Sequence, residues 1–379
     1  MIKENNKRIN RPKGPLFHPT FGSRPAQIVG RDLVLQTFLS GLGEPVGSRD
    51  RCLFLIGQRG MGKTSLLLEM SDLAKEMDMV PALVTAYDGM NEDLIETIQR
   101  NGSEFVAKKN RSVQGFEVGA LGFSVGLTFN EVTQQNYGFR TKLTLLCDEL
   151  EQEGKGVLLL VDEVNNSDAI RQLGITYQHL IGENKNIAIV MAGLPQSVSS
   201  VLNDKVLTFL NRANKIHLGP ISTADIRAYF AMAFRQESIE ISGDLLDKAA
   251  DATEGYPYFM QLIGYYLLKY VGTKKLIDEK DVDEAVRTAK KDLEENVFAP
   301  MLAPLSDWDR AFLQAMAEDE GVSLVSDIGR RLEKDNSFLQ PYRARLISAG
   351  IIESPKKGAL TFTIPYLAEY LRTLADNIG

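Results

Sequence analysis

One octapeptide limits what this chain can fold into more than any other feature: GQRGMGKT at residues 57–64. It has the form G-x-x-x-x-G-K-[ST]. The apolar run CLFLI at 52–56 precedes it, and a segment with helical spacing, Thr64 to Met77, follows it. A glycine-rich turn between a buried strand and a helix directs main-chain N–H groups and the positive end of a helix dipole at an anion. Gly57, Gly60 and Gly62 are expected to take backbone conformations that cost other residues energy. Gln58, Arg59, Met61 and Ser65 fill out the loop. Lys63 supplies a point charge for β- and γ-phosphates, and Thr64 a hydroxyl for Mg²⁺. The implied cofactors are therefore ATP or ADP and Mg²⁺.

A second signal is VLLLVDE at 157–163. Its apolar residues read as a buried parallel strand that delivers Asp162 and Glu163 to the carboxyl edge of a sheet, where open α/β folds bind ligands. Asp162 is expected to orient the Mg²⁺ shell and Glu163 to polarise an attacking water. Lys63 and Asp162 lie 99 residues apart, which leaves room for more than one strand–helix pair.

The rest of the chain alternates in the same way as far as Pro220. Helices are expected at 31–42, 64–77, 91–109, 168–181 and 198–213, and strands at 52–56, 80–88, 157–163, 187–194 and 215–219. The glycine-rich stretch GFEVGALGFSVGLTF at 115–129 cannot hold a helix and reads as an inserted β-hairpin. Beyond Pro220 the pattern turns helical, with expected helices at 222–236, 243–253, 256–271 and 278–298. A linker is expected at 299–304 because it holds two prolines. Three helices (306–318, 322–333, 336–349), two short strands around Pro355-Lys356-Lys357-Gly358 and a last helix from Pro365 read as a winged helix.

Composition excludes other classes. The chain has 379 residues, 44% hydrophobic, and 43 Lys plus Arg against 50 Asp plus Glu, a net charge of −7. Such values fit a globular chain of two or three domains and give no global attraction to nucleic acid. Residues 1–27 are the exception, with six basic side chains against Glu4 and four prolines, and read as a basic extended arm. Cys52 and Cys147 both sit in apolar runs and are expected as reduced core residues, which suits a cytoplasmic location. His18, His179 and His217 show no metal-ligand spacing. No apolar run is long enough to span a bilayer, and MIKENNKRIN lacks the apolar core of a secretion signal, so no membrane contact is expected.

These motifs, together with FGSRPAQIVGRDLVLQTF at 21–38, AGLP at 192–195, VLTFLNRANKIHL at 206–218 and EGYPYFMQLIGYY at 254–266, resemble one group over about residues 20–300. That group is the AAA+ ATPases of the origin-recognition-initiator and STAND-like type, particularly bacterial ATP-binding proteins. The resemblance implies an α/β fold: a P-loop AAA+ parallel sheet with an inserted β-hairpin (28–220), a helical lid (221–300) and a C-terminal winged helix (301–379). It implies that Val29, Gly30 and Arg31 line an adenine pocket and that Gly255, Tyr256 and Pro257 form a turn touching the nucleotide. Simple helix initiation at Pro257 is the other reading. It also implies that Arg212 reaches a neighbouring subunit's γ-phosphate, the alternative being a surface ion pair.

Two departures from the group bear on activity. No cation begins the helix at 256, and Met191, Ala192 and Gly193 stand where a polar residue usually ends the fourth strand. The expected function is a slow, Mg²⁺-dependent ATPase switch coupled to self-assembly or to a partner protein. The alternative is a nucleotide-loaded, non-catalytic recruitment protein, or a DNA-binding regulator. Asn336, Ser337, Gln340, Arg343 and Arg345 on the third helix of the winged segment, Lys356 and Lys357 at its turn, and the 1–27 arm are the candidate DNA contacts. Residues 305–379 carry nine basic against eleven acidic side chains, which favours a protein contact or an autoinhibitory role.

Overall fold

The computed structural model describes residues 15–20, 24–110 and 137–376. The hairpin expected at 115–129 and most of the basic arm lie outside the described residues. The chain forms two compact units. One joins the residues up to Gly30 with Ile221–Asn296, and the other joins Arg31–Pro220 with Val297–Gly379.

The larger unit is built on five parallel strands: β1 (Cys52–Gly57), β2 (Met79–Thr85), β3 (Gly156–Asp162), β4 (Ile187–Gly193) and β5 (Asn214–Leu218), in the order β2-β3-β4-β1-β5. β1, β3 and β4 are buried at every position, which is why they read as continuous apolar runs with no alternation. Pro81 is tolerated because β2 is an edge strand. The sheet is accompanied by α1 (Asp32–Leu42), α2 (Lys63–Glu76), α3 (Met90–Asn110), α4 (Phe139–Gln152), α5 (Asp168–Gly182) and α6 (Pro195–Leu202). Fully buried Leu and Val side chains such as Leu158, Leu159, Leu160 and Val161 each contribute roughly 1.5–3 kcal/mol.

The structure departs from the expectation at 198–213. That stretch, expected to be mostly helix, is α6 followed by a separate 3₁₀ turn, Thr208–Arg212. The break lies at Asp204, whose carboxylate accepts from Val206 N and pairs with Arg171 at 2.7 Å, a local alternative to the helical ladder. Helix α4, which has no counterpart among the expected elements, packs Leu143, Leu146, Cys147 and Leu150 into the core.

The smaller unit contains α7 (Thr223–Gln236), α8 (Gly243–Asp251), α9 (Pro257–Val271) and α10 (Glu279–Leu293). Its helix starts follow capping chemistry. Ser222 accepts from Asp225 N, Ser242 from Leu245 N, and Asp278 forms a capping box with Asp281. Pro257 takes the first turn of α9. Part of the expected arm is anchored here. Phe17 is buried against Tyr229, Phe230 and Phe234, while Leu16 O accepts from the Tyr229 hydroxyl and His18 N donates to Gln261 Oε1.

The larger unit ends in a small subdomain. The residues expected as a linker form a short helix instead, α11 (Ala299–Leu302), with Pro300 in its first turn where its missing N–H is harmless. Then follow α12 (Asp307–Ala317), β6 (Ser323–Leu324), α13 (Val325–Leu332), α14 (Asn336–Ser348), β7 (Ile352–Glu353), β8 (Ala359–Phe362) and α15 (Leu367–Asp376). The three short strands pair antiparallel in the order β6-β8-β7. Among the described residues no helix is long and apolar enough to cross a membrane.

Candidate functional site

β1 neighbours β4 and β5 and is separated from β2 by two strands, so its carboxyl end opens where the strand order reverses. Crevices of open α/β sheets form at such a point. The loop Gly57–Gly62 leaves β1 there and turns into α2. Gly60 and Gly62 have φ of +76° and +81°, the left-handed region open to glycine, and Gly62 is the N-cap of α2. A Cβ built on Gly62 would meet no atom within 4 Å, so the loop leaves free space in front of the helix N-terminus. Gly57 serves differently from the expectation. It does not take a positive φ. Its neighbour across the sheet is so near that a Cβ would lie 3.0 Å from Leu218 O.

The remaining loop residues divide by burial. Met61 is buried and seats the loop, Gln58, Lys63 and Ser65 are partly buried, and Arg59 and Thr64 are exposed. The Lys63 ammonium donates to Gly57 O at 2.8 Å and to Gln58 O at 2.9 Å, bridging the strand end and the loop. Burial lowers its pKa, while Asp162 and Glu163 act in the opposite direction.

The two motifs meet. Thr64 Oγ1 donates to Asp162 Oδ2 at 2.5 Å, although 98 residues separate them. Asp162 is 6% exposed, and its other oxygen accepts from Glu163 N at 2.9 Å. Glu163 is exposed and has φ +53°, an uncommon conformation for a residue with a Cβ and one that costs of order 1–3 kcal/mol. That strain marks the residue, and sequence patterns gave no sign of it. A hydroxyl beside a carboxylate is a pair of hard oxygen donors, which suits Mg²⁺ shared with phosphate oxygens.

The carboxyl end of β4 brings no polar side chain to this edge. Met191 and Ala192 are buried, and a Cβ on Gly193 would come within 2.8 Å of the Val164 side chain. Arg31 is tied to the same edge, its Nη2 donating to Gly219 O at 2.5 Å just beyond β5, and burial lowers its pKa. Val29, Gly30, Tyr256 and Pro257 belong to the helical unit. There Gly30 takes φ +65°, with Ile221 and Asp225 around it, and Ile221 N donates to Gly255 O.

Arg212 lies at the other edge of the sheet. Asn214 pairs with Leu53 and Leu218 with Gly57, so the start of β5 is about 13 Å from the loop end along the strands, at ~3.3 Å per residue. Arg212 is exposed and makes no ion pair among the described residues. It lines a cavity of about 750 Å³ with Arg49, Lys215, Asn211 and Asn214, floored by Phe209 and Ile181. Arg212 therefore cannot reach this chain's own loop.

In the C-terminal subdomain the candidate DNA contacts are partly engaged. Arg345 pairs with buried Asp309 at 2.8 Å and stacks on Tyr342, and Arg343 donates to Ser354 Oγ at 3.1 Å. Lys356 and Lys357 are exposed.

A domain family of unknown function, DUF8462, matches residues 295–371. Among curated proteins, none matches the chain. Two solved structures are similar along nearly the whole chain. The Walker-type ATPase PABY2304 of Pyrococcus abyssi has a TM-score of 0.67 at 17% identity, covering 92% of this chain and 97% of that one. The Aeropyrum pernix ORC2 protein in ADPNP–ADP complexes has a TM-score of 0.61 at 14% identity, covering 95% and 98%. These likenesses show that the chain shares its fold with these two structures.

Proposed function

We propose that the chain is a nucleotide switch, a slow ATPase that binds ATP with Mg²⁺ at residues 57–65 and couples its nucleotide state to assembly with its own copies or a partner protein. The observation that carries this reading is the convergence of Lys63, Thr64, Asp162 and Glu163 on one sheet edge, in front of a glycine-lined helix N-terminus with free space before it. The loop N–H groups and the N-terminus of α2 receive the phosphates, and Lys63 leaves its carbonyl partners to meet them. Thr64 and Asp162 would hold Mg²⁺, which when bound neutralises charge on the phosphate oxygens. Glu163 orients a water and takes its proton. Val29, Gly30, Arg31, Tyr256 and Pro257 are assigned to the adenine side and Arg212 to the γ-phosphate of a nucleotide on a neighbouring copy, where a permanently charged, planar guanidinium is suited to the task.

Slowness is part of the reading because the end of β4 carries no polar side chain and no cation begins the segment at 256. The C-terminal subdomain is read as a winged helix with a protein-contact or autoinhibitory role, because Arg345 and Arg343 are held internally. The same end of β4 favours a second reading, a nucleotide-loaded recruitment protein without turnover. A cytoplasmic setting follows from two free, buried cysteines.

Phosphate release by the full chain, Lys63→Ala and Glu163→Gln separates the readings. Slow release by the full chain and a loss of 10²-fold or more in each variant, in line with the worth of positioned acid–base groups, is expected. Nucleotide binding by all except Lys63→Ala, with no release by any of the three, would select the recruitment reading.

A further inference from the structure

Gln58, second in the phosphate loop, is held from two sides. Its carbonyl accepts from Lys63 Nζ at 2.9 Å, and its side-chain Nε2 donates to Glu353 Oε2 at 2.9 Å, 295 residues along the chain. A carboxylate only accepts, so the amide nitrogen must face Glu353 and the amide oxygen must face away. That oxygen is buried, finds no donor, and would lie 3.5 Å from a Cβ on Gly350. A buried acceptor left unpaired is costly and persists only where a neighbour fixes it. Glu353 ends β7, and Gly350 sits just before β7 with φ +69°, too close to the Leu194 side chain for a Cβ to fit freely. The subdomain matched by DUF8462 therefore has one carboxylate placed on the loop proposed to grip phosphate.

We infer that Glu353 is a positioning residue of the phosphate loop, holding Gln58 so that its carbonyl keeps the Lys63 ammonium drawn back from the phosphate position. The inference rests on the nucleotide reading above. Phosphate draws Lys63 off the Gly57 and Gln58 carbonyls and adds negative charge near the Glu353 carboxylate. Phosphate binding and the Gln58–Glu353 contact therefore oppose each other. Linkage is reciprocal, so whatever lifts Glu353 off Gln58 tightens nucleotide by the factor with which nucleotide loosens the contact.

The test is titration of the full chain with fluorescent ADP and ATP in the presence of Mg²⁺, with adenosine as a phosphate-free competitor. Glu353→Ala should bind both nucleotides about three- to ten-fold more tightly, the scale of one ordinary hydrogen bond lost at a solvent-exposed site. Glu353→Gln keeps an acceptor without the charge and should fall between Ala and the natural residue. Adenosine affinity should not change, and Gln58→Ala combined with Glu353→Ala should add nothing beyond either alone. Variants that bind like the natural chain, or that shift adenosine as much as ATP, overturn the proposal while leaving the nucleotide reading standing. A natural chain that binds no nucleotide overturns both.

Discussion

Lys63 and Glu163 show how differently two residues of one site can be read from sequence. Lys63 carries a motif with fixed spacing, and in the structure its ammonium rests on the Gly57 and Gln58 carbonyls, between the strand end and the loop. Glu163 was legible as an acid at a strand end. Its left-handed backbone was not, because φ depends on how β3 leaves the sheet and not on local composition. The glycines of the loop were read as one kind and are two. Gly62 needs its positive φ and keeps space open, whereas Gly57 needs only the absence of a side chain beside Leu218. Substitution separates the two roles. Gly62→Ala should abolish measurable nucleotide binding while costing about 1–2 kcal/mol of stability, the strain of a left-handed residue. Gly57→Ala should cost about 1–3 kcal/mol by overpacking against β5. Chemical denaturation and nucleotide titration of both variants check this, and equal effects on the two readouts would contradict it.

Elements were legible where capping and burial agreed. The starts of α7, α8 and α12 all have a serine cap, and each lies within a residue or two of the expectation. Helix α4 has its apolar residues at helical spacing, but Gly138 offers no side-chain cap and the glycine-rich stretch before it obscures the start. Prolines misled at 299–304, because a proline in a first turn starts a helix as readily as it interrupts one. Long-range packing was the least legible feature. Nothing local to Phe17 says that Gly264 lacks a side chain for its benefit, yet a Cβ there would lie 2.2 Å from the Phe17 ring. The three aromatic neighbours of Phe17 lie 5.5–5.9 Å away between ring centroids. Phe17→Ala should therefore destabilise the helical unit by about 3–5 kcal/mol. Thermal denaturation followed by circular dichroism reads this, and a change below about 1 kcal/mol would show that the strap is dispensable.

At the scale of the molecule, the two edges of the sheet divide the proposed work. The loop edge holds Lys63, Thr64, Asp162 and Glu163, and the opposite edge holds Arg212 with Arg49 and Lys215 around a shared cavity. One chain cannot bring both edges to one phosphate, but two copies can. Mixing Arg212→Ala with Lys63→Ala should restore phosphate release toward a quarter to a half of the natural chain's rate, because a mixed pair contains one site with both groups intact. No restoration would assign Arg212 to a role within its own copy. The coarse architecture of α/β sheet, helical segment and small C-terminal subdomain followed from periodicity. The division of the chain into units did not, because the segment before Gly30 and the helices after Pro220 come together across about 190 residues of intervening sheet and helices.

The silent end of β4 has a consequence for how such a molecule distinguishes a fresh nucleotide from a spent one. With Met191, Ala192 and Gly193 sealed among apolar neighbours, the proposed site of a solitary copy meets the third phosphate with Lys63 and the Thr64–Asp162 pair alone, and its margin for ATP over ADP should be small. Under the proposed reading, further discrimination is borrowed from a companion's guanidinium. The preference for ATP should then rise with protein concentration, so that the proposed switch would report crowding as much as fuel.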